Sequence, residues 1–142
     1  MTSLRQRVGG AAVLASPFRP FYLLGAIYAP LVAAGGAGVW AGWVDVDAAA
    51  GGALLWHGHE MLFGFATAIV AGTVLTALPS WAGIVELRGL VLGALALVWL
   101  LGRVAFWLGP WLPAWTVALA DAIFYPAMIA LLAKPLWQVR NR

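Results

Sequence analysis

His57, His59, Glu60 and Met61 put two imidazoles, a carboxylate and a thioether into one short stretch, Trp56-His57-Gly58-His59-Glu60-Met61-Leu62-Phe63-Gly64-Phe65-Ala66. They include both histidines of the chain and one of its five acidic residues, and they stand at the head of a long apolar run. Nitrogen, oxygen and sulfur donors of these kinds suit copper, iron or zinc, and histidine is a usual axial ligand of haem. The alternative is a pair of interfacial histidines hydrogen-bonded to water or headgroups. On a regular helix His57 and His59 lie about 200° apart. They therefore face opposite ways and share one ion only if the turn unwinds at Gly58. His57, Glu60, Met61 and Gly64 instead recur at i, i+3, i+4 and i+7 and share one face. Gly64, Ala68 and Gly72 continue small residues at four-residue steps, leaving room for a partner helix or a flat ring.

Two more ionisable residues, Arg103 and Asp121, lie inside apolar runs. Gly109-Pro110-Trp111-Leu112-Pro113 between them cannot continue a helix. Arg103 precedes Leu112, and Asp121 follows it, by the same nine residues. Folded as a hairpin, the two reach nearly equal depth. Glu60 belongs to the same layer, about six residues into its helix and so roughly 9 Å below its end. One reading of Arg103 and Asp121 is a structural ion pair between antiparallel helices, since buried charges are normally paired. The other has Arg103 bind an anionic group, such as a cofactor carboxylate, with Asp121 orienting it.

The elements that hold these residues read as membrane spans. Of 142 residues, 64% are hydrophobic and only 9% charged, whereas a soluble domain carries about 25% charged residues. The expected fold is all-α: a polytopic transmembrane helix bundle of four spans at 21–43, 54–78, 87–108 and 114–133, forming a single transmembrane domain over 1–142. Each span supplies the ~20 helical residues that cross a bilayer core. Pro79-Ser80-Trp81-Ala82-Gly83 is expected to break the second span, and Pro30 marks a possible kink in the first. Gly38-x-x-x-Gly42 and Gly89-x-x-x-Gly93 offer strips for close helix approach. Trp40, Trp43, Trp56, Trp81, Trp107, Trp111, Trp115 and Trp137 fall near span ends as an aromatic belt does, with Trp99 deeper. Tyr22, Tyr28 and Tyr125 are available to a hydrogen-bond network.

Charge sets the expected orientation. With both termini cytoplasmic, Arg5, Arg7, Arg19, Arg88, Lys134, Arg140 and Arg142 all fall inside, seven of the eight basic residues, as the positive-inside rule requires. The histidine segment then sits at the outer end of its span. Scattered in this way, the basic residues point to a lipid bilayer as partner and away from nucleic acid. Ser16-Pro17-Phe18-Arg19-Pro20 follows the first apolar run where a cleavage site would need small residues, so the N-terminus reads as a short cytoplasmic tail. The absence of cysteine excludes disulfides, Cys-ligated zinc and iron–sulfur clusters.

Three segments carry a resemblance: Pro17-Phe18-Arg19-Pro20-Phe21-Tyr22-Leu23-Leu24, the histidine segment, and Leu75-Thr76-Ala77-Leu78-Pro79-Ser80-Trp81-Ala82-Gly83. In order and spacing they resemble the NnrS family, bacterial multi-pass membrane proteins linked to nitric oxide metabolism, denitrification and nitrosative stress. The resemblance implies an inner-membrane protein associated with haem and copper, meeting nitric oxide or a related small molecule. It implies metal binding by His57 and His59, with Glu60 and Met61 as secondary ligands and Arg103 as a partner for a haem propionate or for Asp121. Family members are twelve-span proteins, so this chain corresponds to an N-terminal third. Its bundle is then completed by a missing C-terminal part or by self-association. Two rival readings are a transporter or permease fragment with an intramembrane polar pathway, and a structural or assembly subunit docked through the glycine strips.

Overall fold

The computed structural model describes residues 12–43 and 52–140, the side chains at 134, 135 and 138–140 excepted. Outside these lie the loop with Asp45 and Asp47 and the basic groups of Arg5, Arg7, Lys134, Arg140 and Arg142, on which the expected orientation largely rests. The described chain forms helices and turns with no strand. Helix α1 spans Phe18–Trp40, α2 Gly52–Ala82, α3 Gly89–Trp107, α4 Ala114–Ala122 and α5 Phe124–Arg140. Four stretches are long and apolar enough to cross a membrane, namely α1, α2, α3 and the run Ala114–Ala133 through α4 into α5.

Helix α2 differs from expectation at its far end. It continues through Pro79, which is buried inside the helix, and stops only at Gly83. A proline removes one donor, and a membrane helix tolerates that where packing covers the site. The stop comes from Gly83 at φ 66°, where Ile84 N–H turns back to the Pro79 carbonyl at 3.0 Å. That left-handed step is one glycine takes without steric cost.

Lipid tails are as apolar as leucine, so helices associate in a membrane through packing and polar bonds. The most extensive contact is between α1 and the second half of α2. A Cβ on Gly25 would meet Ile69 and Ala68, and one on Gly72 would meet Tyr22 and Phe21. The small-residue stripe Gly64, Ala68 and Gly72 is therefore filled by a partner helix, which decides against a flat ring there. At three of the four expected strip glycines no other long helix comes close among the described residues. Gly42 and Gly89 take positive φ at helix boundaries with no described atom near an added Cβ, and the described neighbour of Gly93 is Leu14. Besides Gly25, close approaches on α1 fall at Gly35, which receives Trp56 and Trp107, and at Gly36, which receives His57.

Helices α3 and α4 form the expected hairpin through a short turn at Gly109–Trp111. Gly102 sets their separation: a Cβ there would lie 3.0 Å from the Ala120 carbonyl oxygen and 3.3 Å from Asp121 Cα. Backbone cannot swing aside as a side chain can. Gly102→Val is therefore expected to cost about 1–3 kcal/mol by overpacking, read as a lower thermal midpoint in detergent by tryptophan fluorescence. An unchanged midpoint would show that the hairpin does not depend on this contact.

Candidate functional site

The first half of α2 is irregular at the place where chemistry is concentrated. Gly52–His59 is regular α-helix, and Glu60–Ala66 widens into a π segment before the α-helix resumes. Thr67 marks the junction, its hydroxyl donating to the Leu62 carbonyl five residues back at 3.0 Å. Such widened turns occur often at functional sites. The buried positions explain this one. Trp56, Glu60, Gly64 and Ala68 are all buried and recur every four residues. At 3.6 residues per turn each step of four drifts by about 40°, so a regular helix would carry this stripe away from α1. The wider turn takes the drift back. Gly58 stays helical, so the unwinding that would let His57 and His59 share an ion does not occur there.

Glu60 is 0% exposed and sits at the centre of a connected set of polar side chains. Its Oε2 accepts a hydrogen bond from the Tyr28 hydroxyl of α1, which in turn accepts one from Trp107 Nε1 of α3 at 2.7 Å. Its Oε1 accepts from Arg103 Nη1 at 2.7 Å and lies 2.9 Å from His59 Nδ1. Arg103 Nη2 pairs with Asp121 Oδ1 of α4, and Asp121 Oδ2 lies 3.2 Å from His59 Nε2. Glu60, Arg103, Asp121 and His59 thus close a ring that joins α2, α3 and α4. The equal depth expected of Arg103 and Asp121 is realised as an ion pair.

Donor arithmetic constrains the ring. Each nitrogen of His59 faces a carboxylate oxygen. An imidazolium donates to both, whereas a neutral imidazole donates to one and requires the other carboxylate to carry the proton. Either way the ring holds one proton beyond two ionised carboxylates and a neutral imidazole, which makes the four groups neutral as a set. Net charge inside a membrane is costly, so neutrality is the arrangement that can persist there.

The expected ligands separate. His57 turns toward α1 and packs on Gly36, and its Nδ1 is buried without a hydrogen-bond partner. His59 turns toward α3 and α4, stacked on Phe106 at 3.9 Å with both nitrogens engaged. Both oxygens of Glu60 are engaged as well, and Met61 packs against the hydrophobic core. Among the described residues no three His, Cys, Asp or Glu side chains are grouped to hold a metal ion. Among the described residues His57 Nδ1 is thus the buried histidine nitrogen without a partner, which leaves His57 as the candidate to hold a metal. Both terminal nitrogens of Arg103 already serve protein carboxylates, which favours its structural role over that of propionate partner.

Two aromatic residues read as belt belong to the site. Trp56 is buried edge-on against Trp107, ring centroids 4.9 Å apart, and Trp107 supplies the indole bond to Tyr28. Trp40, Trp43, Trp81, Trp111, Trp115 and Trp137 remain exposed, as a belt requires. Tyr125 bonds to Thr67 at 3.0 Å, and Tyr22 to Thr73 at 2.9 Å. The missed signal for Trp56 was its place in the four-residue stripe, which continues back from Glu60. Nothing in the sequence separates Trp107 from a belt tryptophan.

A family model described as NnrS protein matches residues 12–142. No curated protein and no solved structure matches the chain.

Proposed function

Since the chain belongs to the NnrS family, matched over residues 12–142, we propose that it is a haem- or copper-associated protein of the bacterial inner membrane acting in nitric oxide metabolism or the nitrosative-stress response. The family match is the observation that carries this reading. Both termini are taken as cytoplasmic, because that puts the most basic residues on the inner side.

His57 is the residue we assign to the metal, on the strength of its unpaired, buried Nδ1. Bound iron or copper supplies a site for nitric oxide. The residues around it do different work. The ring of His59, Glu60, Arg103 and Asp121 fixes α2, α3 and α4 in register, so the start of α2 presents His57 in one orientation. Gly36 lets the imidazole lie close to α1, where a larger residue would push it out. The transport reading is less favoured, because the ring's polar groups are spent on one another.

The deciding measurement is an optical spectrum with metal analysis of protein purified in detergent. A Soret band or bound copper that His57→Ala removes and His59→Ala leaves in place is the expected result. Wild-type protein with neither would overturn the cofactor assignment. The physiological half fails separately if a strain lacking the chain grows normally under a nitric oxide donor.

A further inference from the structure

Among the described residues, Tyr28 is the tyrosine buried between redox-active partners with a base on its hydroxyl. It is 7% exposed, its hydroxyl donates to the Glu60 carboxylate, and its oxygen accepts the Trp107 indole N–H at 2.7 Å. Trp99 stands edge-on to its ring with centroids 5.4 Å apart, and Trp56 stands edge-on to Trp107 at 4.9 Å. Trp107 is 37% exposed, while Trp56 and Trp99 are 4% and 2%. Electrons and protons thus have separate partners at the hydroxyl: the partly exposed indole of Trp107 leads outward, and the Glu60 carboxylate takes the proton.

That separation matters because an oxidised phenol is a strong acid and must lose its proton. A buried phenol can lose it only to a bonded base. An indole cation is a stronger oxidant than a tyrosine whose proton is taken up, so a hole that enters at Trp107 moves inward. Tyr22 lies exposed beside Thr73, and Tyr125 bonds a threonine hydroxyl. Among the described residues neither has a carboxylate on its hydroxyl, and threonine is no base.

From this geometry we propose that Trp107, Tyr28 and Glu60 form a one-electron relay in which Tyr28 is oxidised through Trp107 and passes its proton to Glu60. The oxidant is of the nitrogen dioxide class. Nitric oxide and dioxygen are both apolar, collect in the hydrocarbon, and combine there as two nitric oxide with one dioxygen to give two nitrogen dioxide. One nitrogen dioxide takes one electron and becomes nitrite. With the ring's extra proton on His59 or Asp121, Glu60 is an ionised carboxylate: the Tyr28 O–H bond breaks, its proton forms a new O–H bond on Glu60 Oε2, and Tyr28 is left as a neutral phenoxyl radical. A thiolate that returns one electron through Trp107 becomes a thiyl radical, and the proton goes back from Glu60 to Tyr28. The choice of oxidant rests on the nitric oxide reading above. The relay itself does not.

The experiment uses the full chain in detergent and generates ruthenium(III) tris-bipyridine by flash photolysis. Electron paramagnetic resonance with ring-deuterated tyrosine identifies the radical. A tyrosyl signal is expected that Tyr28→Phe abolishes and that Tyr22→Phe and Tyr125→Phe leave unchanged. Glu60→Gln removes the base and should slow tyrosyl formation by about 10²-fold, the usual contribution of a positioned general base. Trp107→Phe should slow it as well, and deuterium oxide should slow the wild type more than Glu60→Gln. A tyrosyl signal that survives Tyr28→Phe overturns the relay, as does a rate unaffected by both Trp107→Phe and Glu60→Gln. Repeating the wild type with nitrogen dioxide from pulse radiolysis tests the oxidant. A Tyr28 radical with ruthenium and none with nitrogen dioxide overturns that assignment, and neither result bears on the haem or copper measurement.

Discussion

Arg103→Leu is expected to destabilise the bundle by about 3–5 kcal/mol, the cost of removing one partner from a buried charge pair. Arg103 is 3% exposed and answers two carboxylates at once, Glu60 and Asp121. Leucine fits the apolar surroundings, so the loss comes from what it leaves behind. One hydrogen bond between membrane helices is worth about 1–2 kcal/mol in model peptides, too little to account for the whole effect. The larger part is the two carboxylates, which face each other across His59 with a single cation fewer. Arg103→Lys should recover only part of the loss, because a point charge cannot hold two carboxylates in the geometry of a planar fork. The measurement is thermal unfolding in detergent followed by tryptophan fluorescence. A further Glu60→Leu change in the Arg103→Leu background should recover stability by removing the carboxylate with no exposure to solvent. A midpoint unmoved by Arg103→Leu would sink the view that the ring holds the helices together.

Gly64→Val is the second large effect, expected at about 1–3 kcal/mol from overpacking alone. Gly64 is buried on the π segment, and a Cβ there would collide with the Tyr28 ring and lie 3.4 Å from Arg103 Cδ. Both neighbours are held by polar bonds, Tyr28 between Glu60 and Trp107, Arg103 between Glu60 and Asp121. Moving either to make room breaks a bond of the network, so the packing cost and the polar cost arrive together. Gly72→Ala provides the contrast. Its Cβ also meets a tyrosine, Tyr22 at 2.8 Å, and Phe21 Cβ at 3.2 Å, but Tyr22 is an exposed side chain whose one bond, to Thr73, lies at the surface, and alanine adds a single methyl. Unfolding midpoints of the two variants should differ clearly, with Gly64→Val the lower. Equal midpoints would mean that neighbours at Gly64 yield as easily as Tyr22 does.

Much of the fold could be read from local chemistry. The four spans follow from apolar length, because about 20 apolar residues have one stable place in a cell and one conformation in it. The hairpin around Gly109-Pro110-Trp111-Leu112-Pro113 follows from residues that cannot continue a helix, and it brings Arg103 and Asp121 to one depth by counting. Pro79 misled for a definite reason. Its missing donor breaks a helix where water competes, whereas here the residue is buried in the helix and Gly83 makes the stop.

The histidine segment shows where reading along the chain ends. Its residue types marked it as a place for chemistry, and regular helix geometry already turned His57 and His59 apart, as they are found. Which of them is free for a ligand depended on partners remote in sequence. His59 is taken by Asp121, sixty-two residues away, and Glu60 by Tyr28 and Arg103, while His57 meets a glycine. The π segment was latent in the four-residue recurrence of Trp56, Glu60, Gly64 and Ala68, but only α1 packed alongside makes that drift costly enough to widen the turn. Sequence alone determined the membrane, the helices, and the layer in which the polar groups lie, since these depend on apolar length and residue counting. Tertiary structure decided which polar atoms are spent on one another and which remain for a ligand, because a hydrogen bond or an ion pair is satisfied by proximity in space, and proximity between helices is set by packing.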